Sequence, residues 1–151
     1  MHHVQRCMKN ILIPLLVLTG WLAIPQANAC WAYVSLETRI DGAKYVVVGK
    51  IDRIVDVIER SNRTYAVGAI KVSQVLKGPK TLKEVRLMWP SKSNKARIST
   101  DILFNQGQQG VWVLYPDKKE KGVYWARYPS DYQPLKALPN VQAKLKEHSS
   151  K

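Results

Sequence analysis

Two long runs of β-branched and small apolar residues constrain this chain more than any other feature. The first starts at Tyr45-Val46-Val47-Val48, passes Gly49-Lys50-Ile51, and continues through Ile54-Val55-Asp56-Val57-Ile58. Val and Ile are stiff at χ1 and suit the pleated backbone better than the helix. The alternation slips out of phase midway, which predicts one long, strongly bent strand. Gly49 marks a bulge or a close backbone approach. Glu59 to Arg63 reads as a polar turn. Thr64 to Leu76 then returns as a second strand, with Ala66, Gly68, Ile70 and Val72 on one face and Val67, Ala69 and Lys71 on the other.

The rest of the chain continues the β pattern. Lys77-Gly78-Pro79 stops the second strand. Val85, Leu87 and Trp89 alternate with Arg86 and Met88, which predicts a half-buried third strand ending at Pro90. Ser91 to Asp101 is a polar, basic loop. Val111 to Tyr115 is apolar on both faces and so reads as a central fourth strand. Asp117 to Gly122 reads as a hairpin turn, and Val123 to Tyr128 as the fifth strand. Residues 34–42 predict a short helix with Val34, Leu36 and Ile40 on one face and Gly42 at its end. Leu138, Val141 and Leu145 predict a second short helix, with Asn140 as its cap. The sum is a mainly β chain: a small five-stranded OB-like barrel with short N- and C-terminal helices. A two-sheet sandwich ranks second, because strands are few and no long Greek-key connection is visible.

Residues 1–29 read as an export signal. Arg6 and Lys9 precede an apolar run from Ile11 to Ile24, and Ala27-Asn28-Ala29 supplies the small-x-small cleavage pattern before Cys30. The run is about 14 residues where roughly 20 are needed to span a bilayer, so no transmembrane helix is expected in the mature form. The expected product is periplasmic or extracellular. Its domain starts at Cys30 and ends at 147, with 148–151 as a basic tail. A lipoprotein signal, with Cys30 lipid-modified, is the alternative. Ala27 then stands where Leu is usual and Asn28 is poorly suited, so the ordinary peptidase fits better.

Removing residues 1–29 takes Arg6 and Lys9 from 24 cations and none of the 11 carboxylates, leaving 22 against 11 and a net charge of +11. Such a field favours anionic partners, though it also serves solubility alone. Outside the inner membrane the relevant anions are phospholipid headgroups, other envelope polymers or an acidic protein, and nucleic acid is not expected. Peripheral membrane association is compatible with that charge. Cys7 leaves with the signal, so Cys30 is alone and no internal disulfide is expected. His2 and His3 leave too, and His148 lies at the far end. That removes Ser-His-Asp and Cys-His catalysis from the body of the domain, and no cofactor is expected.

Three segments in order resemble a known family. Ala43-Lys44-Tyr45-Val46 after a short helix, Val72-Ser73-Gln74-Val75-Leu76-Lys77-Gly78, and Gly110-Val111-Trp112-Val113-Leu114 are similar to bacterial members of the tissue-inhibitor-of-metalloproteinases (TIMP) or netrin-like fold. The resemblance covers most of Cys30 to Tyr128 and implies an OB-like barrel. It also implies a role for Cys30. In the animal inhibitors, the free amine and carbonyl of a first-residue cysteine chelate a target protease's zinc. Here the chain reads Cys30-Trp31-Ala32, with no second cysteine to preorganise the inhibitory ridge by disulfides.

Among function classes, an enzyme has little support. Asp52, Asp56 and Glu59 are the nearest carboxylate cluster, and on a strand they read as solvent-facing neighbours of Arg53 and Arg60. No nucleophile elbow, phosphate loop or metal cluster is visible. A non-catalytic binding module is the leading reading. Its candidate binding residues are Cys30, Trp31 and Tyr33 near the mature start, with Lys92, Lys95 and Arg97 in the basic loop. Trp89 and Trp112 read as core, because their strands alternate and Phe104 is the only phenylalanine. Metalloprotease inhibition through Cys30, and anchoring by a lipid on Cys30, are the alternatives.

Overall fold

In the computed structural model, residues 33–96 and 98–150 are described. Ala27, Ala29, Cys30, Trp31 and Arg97 lie outside the described residues. The first β-branched run forms β1, Tyr45–Arg60, and the second forms β2, Arg63–Lys77. They pair antiparallel along nearly their whole length. The expected five-residue turn is tighter than the sequence suggested. Only Ser61 and Asn62 lie outside the strands, both with positive φ, near 50° and 59°. A two-residue turn with both residues left-handed matches the right-handed twist of its strands, so Glu59, Arg60 and Arg63 stay in the ladder.

β3 (Glu84–Pro90), β4 (Gln109–Pro116) and β5 (Val123–Trp125) complete a closed ring in the order β1-β2-β3-β5-β4, with β4 pairing back to β1. All the pairings in the ring are antiparallel except β3 with β5. The result is the expected OB-like, barrel-like ring of five strands. A sixth strand, β6 (Tyr132–Gln133), adds to the outer edge of β4 and was not foreseen. β5 is shorter than the Val123–Tyr128 expectation. Asp131 accepts hydrogen bonds from the backbone N–H groups of Arg127 and Tyr128, which pulls them out of any ladder into a 3-10 turn at Pro129–Asp131.

The bend of β1 has a visible cause. Register shifts fall between Ile51 and Arg53 and between Ile54 and Asp56, placing bulges at Asp52 and Val55. The first half of β1 pairs with both β2 and β4, and the distal half pairs with β2 only. At Gly49 the close approach is real: a Cβ there would sit 2.6 Å from the Lys71 carbonyl oxygen.

Inside the ring, Val47, Ile51, Ile70, Leu87, Trp89, Trp112 and Leu114 form the main core, and Phe104 is inserted from the β3–β4 connection. Phe104 meets Trp112 edge-on at 5.2 Å, and the Trp112 indole N–H donates to the Gly49 carbonyl at 2.9 Å. Trp89 and Trp112 are therefore core residues, as expected. The β3 expectation needs correcting. Met88 and Val67, on the outer face, are fully buried as well, because Val123 and Trp125 from the β5 segment fold over them.

The outer wall of β1 and β4 carries a second core. Val46, Val48, Val111 and Val113 are covered by Ile40 of α1 (Leu36–Gly42) and Val141 of α2 (Leu138–Ser149). This is why β4 is apolar on both faces. Ser35 caps α1, accepting from the Thr38 N–H. Asn140 is not the cap of α2. The helix enters from a 3-10 turn at Leu135–Ala137 and starts through Pro139, so Asn140 already lies in its first turn. α2 continues past His148, where the sequence suggested a tail. No helix among the described residues is long and apolar enough to cross a membrane.

Candidate binding site

Helices cover one wall of the ring, and concavities lie near the tip of the β1–β2 hairpin. There the 91–101 loop is pinned to the start of β2. The Asn94 side chain accepts from the Thr64 N–H and donates to the Thr64 carbonyl, both at 2.8 Å, imitating a neighbouring strand. The Ser91 N–H donates to the same carbonyl. Arg63 follows the tight turn, and its guanidinium donates to the Asp101 carboxylate further along the loop.

Arg63 separates two concavities. One, of about 250 Å³, is lined by Arg63, Tyr65, Met88, Asp101, Trp125 and Arg127 among others. The other, of about 360 Å³, is a niche with Asn62, Ser93, Lys95 and Ile98 in its wall. Tyr65 and Trp125 stand edge-to-face with centroids 5.5 Å apart. The Arg63 guanidinium lies 5.8 Å from the Tyr65 ring centroid. Its Nε is buried and has no hydrogen-bond partner among the described residues. Arg127 lies 4.5 Å over the Tyr115 ring, is otherwise exposed, and forms no ion pair among the described residues.

Trp125 is fixed from behind. Its indole N–H donates to Asp117, which also holds Arg60 through both carboxylate oxygens and accepts from the N–H groups of Lys119 and Glu120. Burial alone would raise the Asp117 carboxyl. The hydrogen bonds from Arg60, Trp125 and the two backbone amides outweigh it and hold that carboxyl well below the usual carboxylate range. Asp117 thus stays ionised and positions the wall of the concavity.

The sequence-derived residues divide. Lys92 and Lys95 do come to this end of the ring: the Lys92 ammonium donates to Asn105 at 2.6 Å, and Lys95 is exposed in the niche. Tyr33 does not join them. It is 95% exposed ahead of α1 and lines neither concavity. Cys30, Trp31 and Arg97 lie outside the described residues. The carboxylate cluster is dispersed over surface ion pairs, Asp52 with Arg53 and Asp56 with Arg86. Arg60 reaches Asp117 instead of Asp56. No metal-ligating cluster occurs among the described residues.

Arg63, Asp101 and Arg127 were not singled out from the sequence. Arg63 had a local signal, an arginine directly after a Ser-Asn pair able to adopt a left-handed turn. Arg127 had none, because its place in the lining depends on the parallel closure of β5 on β3. No protein-family model and no curated protein matches the chain.

Proposed function

We propose that this chain is an exported, non-catalytic binding module that engages an anionic partner through the open end of its strand ring. One observation carries the reading. Arg63, Lys95 and Arg127 line two adjoining concavities, Lys92 lies on the same loop as Lys95, and Asp101 is the acidic residue among the lining groups. On the helix-covered wall, Arg39 is paired with Asp131 and Lys144 with Glu37 and Glu147, while Lys136 and Lys146 form no ion pair among the described residues. Cations in partly walled sites focus a field toward an approaching anion.

Kinship with the TIMP or netrin-like family belongs to the same proposal. The five-strand ring between two short helices and the order of the three sequence segments support it.

The test is elution of the purified protein from an immobilised anionic polymer in a salt gradient. Strong retention that falls with salt, and a lower eluting salt for Lys92→Glu/Lys95→Glu than for Lys118→Glu/Lys121→Glu, fits the reading. Equal losses for the two charge-matched pairs would leave only diffuse net charge and sink it.

A further inference from the structure

The distal half of β1 is a strand edge with one side unpaired. We infer that it joins the same edge of a second copy of this chain, antiparallel about a two-fold axis at Ile58, to form a weak homodimer. This goes beyond the binding-module reading and does not depend on it.

The edge follows from the pairing. β1 meets β4 from Tyr45 to Lys50. At Ile51 the Gln108 carbonyl and the Gly107 N–H cover the same side, and the Gln106 side chain donates to the Asp52 carbonyl. From Arg53 to Arg60, β2 is the one strand partner among the described residues. Arg60 and Arg63 close the two-residue turn, so Ile58 and Asp56 direct their backbone groups to β2. Val57 and Glu59 direct theirs outward. The Val57 N–H accordingly takes a substitute acceptor, the carboxylate of its neighbour Asp56, at 2.8 Å. Such an edge is a template for another strand. Its side chains are apolar enough to benefit: Ile54, Val55 and Val57 are 43%, 38% and 59% exposed.

Charge selects the occupant. The chain as a whole is strongly basic, yet in this segment Arg53 and Arg60 are balanced by Asp56 and Glu59. An anionic partner therefore gains little here, and two copies meet here without the repulsion of their basic surfaces. The register follows from the backbone. An axis at Ile58 pairs Val57 of each copy with Glu59 of the other, so both outward residues make reciprocal main-chain hydrogen bonds. It sets Ile58 opposite its own equivalent, Val57 diagonal to Val57, and Asp56 opposite Arg60. An axis at Glu59 would face two carboxylates, and one at Val57 would pair Glu59 with the bulged Val55. Asp56 and Arg60 already hold Arg86 and Asp117, so across the axis they avoid repulsion without adding a bond. Ile58 packs beside Tyr65 and Trp125 on the Val67–Met88–Val123 cluster, which its pairing would extend.

The experiment is sedimentation equilibrium of the purified protein from about 1 to 300 µM. So short an interface falls below the roughly 1,200 Å² of stable complexes, so a dimer with Kd on the order of 10–100 µM is expected. Val57→Lys, checked for an unchanged circular dichroism spectrum, is expected to weaken it at least roughly tenfold. Tyr33→Lys, ahead of α1, is expected to leave it unchanged. In a Cys7→Ser/Cys30→Ser background, Ile58→Cys is expected to give a disulfide-linked dimer on mild oxidation, because directly opposed residues lie within reach of that bond. Glu37→Cys on the helix-covered wall is expected to give none.

A dimer that Val57→Lys leaves intact, no cross-link at 58, or equal cross-linking at 37 and 58 overturns the inference. A monomer at every concentration overturns it too and leaves the edge to a strand of a different protein. Retention on the anionic polymer is a separate readout, so the binding-module reading stands or falls apart from these outcomes.

Discussion

The two ends of this molecule both hold arginine–aspartate pairs but satisfy them to different extents. On the helix-covered wall, Arg39 and Asp131 form an ion pair that is 6% and 0% exposed, at 3.2 Å. Every remaining contact of that pair is supplied by the fold. The Arg39 Nε–H donates to the Val34 carbonyl, and the second Asp131 oxygen accepts from two backbone amides. The Tyr115 hydroxyl donates to the Arg39 carbonyl. Burial raises the Asp131 carboxyl and the arginine and amide hydrogen bonds oppose it. At the hairpin end, Arg63 pairs with Asp101 and keeps an Nε without a hydrogen-bond partner among the described residues. Arg127 lies over the Tyr115 ring whose hydroxyl serves the wall.

The largest expected effect tests the wall. Asp131→Ala leaves Arg39 buried without its partner and frees two amides, and should cost about 3–5 kcal/mol in chemical denaturation. The double variant Arg39→Met/Asp131→Leu should lose clearly less, because no uncompensated charge remains. A double variant as unstable as the single one would mean that the pair contributes more than mutual compensation.

Next comes Asp117, which links the core side of Trp125 to the open pocket. Asp117→Asn should cost about 1–3 kcal/mol near neutrality. The folded carboxyl lies below its unfolded value of about 4, so its stabilisation is fully present above that pH and lost as pH falls below it. The gap between wild type and variant should therefore narrow on acidification. A gap constant from neutrality to roughly pH 2 would contradict the assigned ionisation.

Lys77 should matter less. Its ammonium donates to the Ile40 and Asp41 carbonyls at the end of α1, so Lys77→Met should cost about 0.5–1.5 kcal/mol. Hydrogen exchange should rise in α1 and leave the 91–101 loop unchanged.

Smallest in stability is the open end itself. Lys95→Ala should move the unfolding free energy by no more than about 0.5 kcal/mol, while lowering the salt needed to elute the protein from an anionic polymer. A stability loss as large as that of Lys77→Met would erase the contrast between the two ends.

Much of the fold was legible because strand periodicity is local. The alternation of Ala66, Gly68, Ile70 and Val72, and the doubly apolar run at Val111 to Tyr115, are written in neighbouring residues. Helix α1 was legible in its apolar positions, but Arg39 was not. It sits three residues after Leu36, on the stripe that packs inward, and a charge there signals a distant partner without naming it. That partner, Asp131, is 92 residues away. Asn140 misled because a good capping residue was present, while the chain's entry through a 3-10 turn set where the helix began.

The sequence alone determined the five strands of the ring in outline, the two short helices and the basic balance, because propensity, periodicity and charge are properties of adjacent residues. Tertiary structure decided the rest. Closure of β4 on β1 and of β5 on β3 set Phe104 against Trp112 inside the ring, covered Met88 with Trp125, and brought Arg127 into the wall of the concavity that Arg63 also lines. The contacts of Met88 with Trp125 and of Arg39 with Asp131 join residues far apart in the chain, and only ring closure, which buries two apolar faces at once, fixes which of them meet.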